Sequence, residues 1–157
     1  MSDATAAPHF THRNLPLLLL HARESVMAHF RPLLNAHGLT EQQWRILRAL
    51  LELGELEPRQ IGERCRISSP SLAGVLSRMD DLGLVQRTRL VHDQRRVQVA
   101  LTERSRALLA EMAPQVEALY GQLEARLGPD LLARAYTLLD ELVEAMGPPA
   151  DGADPAE

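Results

Sequence analysis

The sequence predicts a mainly α-helical fold of six helices and one β-hairpin. Leucine carries most of the apolar content, aromatic residues make up only 3% of the chain and β-branched residues are few, a bias toward helix over sheet. Apolar residues recur at spacings of three and four along most of the chain and change to alternation only near residues 84–101. At 157 residues, 45% of them apolar, the chain can build one domain, or two small lobes sharing a core.

Each element has its own signals. Leu15, Leu19, Ala22, Val26, Phe30, Leu33 and Leu34 form one stripe of a first helix, about Leu15 to Ala36. Pro32 should bend its last turn, and Gly38 stops it. Thr40 with Gln43 is a capping box opening a second helix, Glu41 to about Leu53, closed by Gly54. Pro58 suits the first position of a short third helix ending at Cys65, where its missing N–H costs nothing. Ser69 as N-cap and Pro70 after it start a fourth helix, closed at Leu82 by Gly83. Leu72, Val75, Leu76, Met79 and Leu82 form its buried face. Leu84 to Arg89 and Arg96 to Leu101 read as strands around the polar loop 91–95. A fifth helix starts after Thr102 and runs to about Leu127, with a kink expected at Pro114. After Gly128-Pro129 a sixth spans Asp130 to Met146. Residues 1–12 and 147–157 are expected to be disordered.

Net charge is −4, yet the charges are segregated. Ten arginines face five acidic residues between Arg59 and Arg106, while the rest of the chain holds seven arginines against sixteen acids. A basic middle between acidic flanks is the layout of a nucleic-acid-binding lobe carried on a partner-binding scaffold. Two short helices joined tightly and followed by a hairpin, inside that segment, make a winged helix-turn-helix. The fourth helix has the outer face a major groove requires. Ser68, Ser69 and Ser71 give its first turn hydroxyls and free N–H groups, Gly74 permits close approach, and Arg78 reaches a phosphate or a guanine edge. Arg87 and Arg89 are placed to neutralise phosphates, and Arg95 or Arg96 to enter the adjacent minor groove.

The stretch from Leu39 to Thr102 resembles the MarR family of bacterial repressors. The matching residues are Leu39-Thr40-Glu41-Gln42-Gln43-Trp44, Ser68-Ser69-Pro70-Ser71, Leu82-Gly83-Leu84-Val85-Gln86-Arg87, Asp93-Gln94-Arg95-Arg96 and Leu101-Thr102. The resemblance implies that Asp93 braces Arg95 for the minor groove, and with the flanking helices it covers about residues 14–146. Ser105 departs from the glycine usual in the family three residues after the threonine, which bears on the start of the fifth helix. Within the family the chain is similar to regulators of homoprotocatechuate and related aromatic-acid degradation. That likeness rests on Leu15-Pro16-Leu17-Leu18-Leu19, Ala22 to Met27, Arg31-Pro32-Leu33-Leu34-Asn35 and Glu57-Pro58-Arg59-Gln60-Ile61. It implies a repressor released by a small phenolic or pyridine carboxylic acid.

The first, fifth and sixth helices carry leucine stripes too wide for one short chain to cover. A homodimer is expected, spacing two reading helices about 34 Å apart on a pseudo-palindromic operator. The implied division is 13–38 and 103–146 for dimerisation and 39–102 for DNA. In the family, effectors sit between these parts. His21, Ser25 and His29, on one side of the first helix, together with Trp44 and Arg45, are the residues expected to take an aromatic carboxylate. The alternative is that Trp44 is core and the histidines are solvated.

Other classes fit poorly. Neighbouring acids such as Asp80-Asp81 point apart on a helix, and no nucleophile or phosphate-binding loop joins them, so an enzyme is not expected. A winged helix used only for protein contacts is disfavoured by its basic wing. No tight Cys/His ligand spacing suggests a metal, and no cofactor is expected. The single cysteine, Cys65, reads as a buried thiol rather than a redox switch. The Leu17–Leu20 run is too short to span a bilayer and no export signal is visible, so a cytoplasmic protein without membrane partners is expected.

Overall fold

The computed structural model describes residues 7–148. It contains α1 (Leu15–Ala36), α2 (Glu41–Leu53), α3 (Pro58–Cys65), α4 (Ser69–Asp81), β1 (Val85–Arg89), β2 (Val97–Leu101), α5 (Glu103–Leu127) and α6 (Pro129–Met146). The disorder expected for residues 1–6 and 149–157 falls outside the described residues, and residues 7–14 hold no helix or strand.

The caps explain the boundaries. Asn14 opens α1 by accepting from the Leu17 N–H at 3.1 Å. The Thr40–Gln43 capping box is present in both directions, at 3.1 and 3.0 Å. One boundary is corrected: Ser68, in extended conformation, is the N-cap of α4, and Ser69 is already helical. Pro70 therefore sits one residue further in than expected, still within the first turn, where its missing N–H has no intrahelical acceptor to lose. Leu82 caps the C-terminal end of α4 and β1 begins one residue later than the alternation suggested. Ser105, the residue that departs from the family pattern, completes a capping box at the start of α5. Its hydroxyl accepts from the Thr102 N–H at 3.0 Å, its own N–H donates to Thr102 Oγ1 at 3.1 Å, and it is fully buried. Pro32 and Pro114 lie inside α1 and α5, and both helices run on through them.

Helices α2, α3 and α4 pack with the hairpin around Ile46, Leu47, Leu50, Ile61, Leu72, Leu76, Met79, Val85 and Val99. Each such side chain contributes roughly 1.5–3 kcal/mol by burial. Gly62 lets α3 pack closely on the following turn and on α4, because a Cβ there would stand 3.2 Å from the Ile67 carbonyl oxygen and 3.4 Å from Leu72 Cδ2. Strands β1 and β2 pair antiparallel with Arg89 opposite Val97. Leu56 adds a bridge to Val99, through bonds of 3.1 and 2.8 Å, that anchors the returning strand to the α2–α3 link. Helix α5 continues the core through Leu109, Met112, Val116 and Leu123 and meets α1 at Phe30 and Tyr120, whose ring centroids are 5.1 Å apart. Helix α6 buries none of its residues.

Candidate nucleic-acid interface

Helix α4 turns Leu72, Leu76 and Met79 into the core, with Val75 half-buried. Leu82, expected on that face, is instead 37% exposed, because the helix has already ended at Asp81. The opposite face carries Ser69, Pro70, Ser71, Ala73, Gly74, Ser77 and Arg78, all exposed. Ser68 Oγ donates to Ser71 Oγ at 3.1 Å, and among the described residues no side chain caps the helix. Its first-turn N–H groups are therefore left for an external acceptor. An added Cβ at Gly74 would meet nothing within 4 Å. Glycine inside a helix costs about 0.5–1 kcal/mol relative to alanine, and no neighbour in this chain requires it.

The wing is exposed from Val91 to Arg96. Asp93 Oδ1 accepts from the backbone N–H of Arg95 at 3.0 Å, so the acid fixes the turn while leaving the Arg95 guanidinium outside the bond. The other arginines of the hairpin are held by the protein. Arg87 bridges to Asp80 at 3.0 Å, tying β1 to α4. Arg89 donates to the Gln94 carbonyl. Arg96 Nε donates to Glu57 Oε1 at 3.0 Å and Nη2 donates to the same oxygen, which holds the guanidinium firmly in its charged form. The guanidinium groups of Arg78 and Arg95 make no hydrogen bond or ion pair among the described residues.

A second feature lies beside α2. Arg48 stands over Trp44, its Cζ 5.6 Å from the ring centroid, and its only ion pair among the described residues is to exposed Glu52 at 3.0 Å. Trp44, Arg45, Arg48, Ala49, Glu52, Arg64 and Cys65 line an open cavity of about 210 Å³. Arg45 is committed elsewhere: Nη1 donates to the Cys65 carbonyl at 2.6 Å, and its Nε is buried without a partner. Burial pushes the Cys65 thiol up, against the pull of Arg45 and Arg64, which lowers its thiolate fraction. His21 and Ser25 are exposed and His29 is half-buried. Ser25 Oγ donates to the His21 carbonyl of its own helix at 2.9 Å. None of the three lines the cavity beside Trp44, since α1 turns Phe30 and Leu34, not these residues, toward the protein.

Helices α1 and α2 are joined by a closed ring of charges. Arg23 donates to Glu24 at 2.8 Å and to Glu41 at 2.6 Å, while Arg31 bonds the other oxygen of each. Burial pushes the Glu41 carboxyl up, but the hydrogen bonds from Arg23 and Arg31 outweigh it and leave it below its ordinary range.

Comparison with known proteins agrees with this geometry. The family model described as MarR family matches residues 37–96. The homoprotocatechuate degradative operon repressor of Escherichia coli is 39% identical over 132 residues, covering 84% of this chain and 89% of its own length. The chain belongs to the MarR family. Among solved structures, the transcriptional regulator PA4135 is 44% identical with a TM-score of 0.81, over 83% of this chain and 96% of its own. NadR in complex with 4-hydroxyphenylacetate is 38% identical with a TM-score of 0.74, over 86% and 96%.

As a MarR-family winged-helix regulator, the chain carries several residues that sequence reasoning passed over. Arg48 follows Trp44 by four positions, one helical turn, and that spacing was the available signal. Glu57 and Asp80, which hold wing arginines, lie 39 and 7 residues from their partners, and nothing local in the sequence couples them. Among the described residues no helix is long and apolar enough to cross a membrane, and no cluster of three or more metal-ligating side chains forms.

Proposed function

We propose that the protein is a homodimeric repressor that reads a pseudo-palindromic operator and is released by a small aromatic carboxylic acid. The observation that carries this reading is the exposed polar face of α4 beside a solvent-facing wing tip whose Arg95 guanidinium is uncommitted. Residues 39–102 form the reading lobe; 13–38 and 103–146 form the dimer helices. Ser68, Ser69, Ser71, Gly74 and Arg78 face the major groove and Arg95 the minor groove. Asp93 sets the tip, and Arg87, Arg89 and Arg96 hold the hairpin and can add to the positive field around it.

Support for dimerisation comes from α6, where Leu138 and Val143 are 63% and 67% exposed on a helix that buries nothing. For the effector, Trp44 supplies an aromatic shelf and Arg48 a carboxylate partner, the Glu52 bond of Arg48 being exposed and easily exchanged. This reading favours Arg48 over Arg45. His21, Ser25 and His29 would take part only from the other copy's α1 across the dimer. Homoprotocatechuate, whose degradative operon the Escherichia coli relative represses, and 4-hydroxyphenylacetate, bound by NadR, are the first compounds of this class to try.

Fluorescence anisotropy with the duplex upstream of the gene, against random duplex, tests this directly. Specific binding should fall with salt at a log–log slope of about −5 to −9, and Arg95→Ala should cost about 1–3 kcal/mol. A panel of phenolic and pyridine carboxylates should contain a compound that weakens binding about 10–100-fold. Equal affinity for both duplexes would reject the regulator reading. A panel without effect would reject only the effector class.

A further inference from the structure

Among the described residues, Arg66 is the only non-glycine residue with positive φ, at 54°. It caps the C-terminal end of α3 in left-handed conformation, where glycine is preferred because a Cβ crowds the following carbonyl. Its N–H and that of Ile67 both bond the Gly62 carbonyl oxygen, the latter at 3.0 Å. The turn itself is therefore complete without a side chain. Cys65 and Ile67 on either side are buried, while Arg66 is exposed. Its guanidinium has no hydrogen bond or ion pair among the described residues. A left-handed backbone kept by a residue whose side chain no described neighbour holds points to a partner outside the fold.

Its position says what lies there. Arg66 stands three residues before Ser69, the first residue of α4, on the exposed side of the helix-turn-helix link. A reading helix enters the major groove by its N-terminal end, so the residue that leads into it meets the rim of the groove, where the phosphates are. Within the basic segment, Arg59, Arg87, Arg89, Arg96 and Arg104 are engaged by protein acceptors. Among the described residues the guanidinium groups of Arg64, Arg66, Arg78, Arg95 and Arg106 are not; of these, Arg66 and Arg78 bracket α4 from its two ends, and Arg95 lies on the wing that follows it.

We propose that Arg66 is a DNA phosphate contact at the entrance of the reading helix, keeping an unfavourable backbone for the sake of its charge. This rests on the regulator reading above and adds a residue to it. With Arg66, Arg78 and Arg95 as the contacts, a dimer makes six, a salt slope of about −5, of which the two copies of Arg66 supply about −2.

Arg66→Gly separates the two properties, because it relieves the backbone while removing the charge. The experiment uses a duplex selected from a random pool by the wild-type protein. Thermal unfolding of Arg66→Gly at matched concentration should show Tm raised by roughly 2–5 °C. Its binding slope should be shallower by about 2, so that its deficit against wild type widens about 20-fold as salt falls from about 0.5 M to about 0.1 M. Arg66→Lys should retain the wild-type slope. An unchanged slope for Arg66→Gly, a lowered Tm for it, or a slope for Arg66→Lys as shallow as that of glycine would each overturn the proposal. A wild-type protein that selects no duplex would overturn the regulator reading, and the proposal with it.

Discussion

Helix α4 and helix α6 are both amphipathic, and they are finished to different degrees. In 13 residues α4 buries Leu72, Leu76 and Met79 against its own chain and leaves a polar face to solvent. In 18 residues α6 buries nothing and leaves Leu131, Leu138, Leu139, Val143 and Met146 exposed. A helix polar on its outer side needs no cover to be soluble, whereas a contiguous apolar face marks a surface made for another protein. Within its own chain α4 is covered where it is apolar and α6 is not; on the proposed function, α6 would be one side of the dimer interface.

The largest way to break this contrast is to charge α6. Leu139→Asp with Val143→Asp should leave the lobe folded, because neither side chain is buried in the chain. Light scattering should show the mass falling to that of a monomer, and operator affinity should drop about 10²–10⁴-fold as the second half-site is lost. A variant that keeps its mass and affinity would show that α6 needs no partner. Next in size is Met79→Ala, on the buried side of α4. Met79 is 0% exposed, and its truncation should lower stability in urea by about 2–5 kcal/mol without dissociating the folded protein. A loss below 1 kcal/mol would mean the lobe's core is looser than its burial implies. The smallest effect belongs to the charge ring that joins α1 to α2, away from both faces. Glu41 is held below its ordinary pKa range, so its contribution is present above the unfolded value of about 4.3 and disappears as pH falls through the lower folded one. Glu41→Gln should lower stability by no more than about 1 kcal/mol at neutral pH, and the difference from wild type should vanish in acid. A difference independent of pH would remove the ring as its cause.

What the sequence made legible was local chemistry. Thr40 with Gln43 announces a helix start because both hydrogen bonds close within four residues, and Gly54, Gly83 and Gly128 mark ends for equally local reasons. Leu72, Leu76 and Met79 share a face by spacing alone. The slip at the start of α4 shows the limit of this logic: Ser68 and Ser69 are the same residue type, and only the backbone decides which is extended. Long-range commitments were invisible. Arg87 and Arg96 looked free to meet DNA because Asp80 and Glu57 are brought to them by the fold. Likewise, His21, Ser25 and His29 share a helix side by their four-residue rhythm, but rhythm does not say whether that side faces a cavity or solvent.

The bond from Arg45 to the Cys65 carbonyl has a consequence for signalling. Cys65 lines the hollow beside Trp44, and the next peptide leads into the left-handed turn that delivers the chain to α4. A molecule seated against the tryptophan therefore lies one amino acid from the bend that aims the reading helix. On the proposed function, sensing and reading would be neighbours along the backbone, with no chain of intermediaries needed to carry news between them.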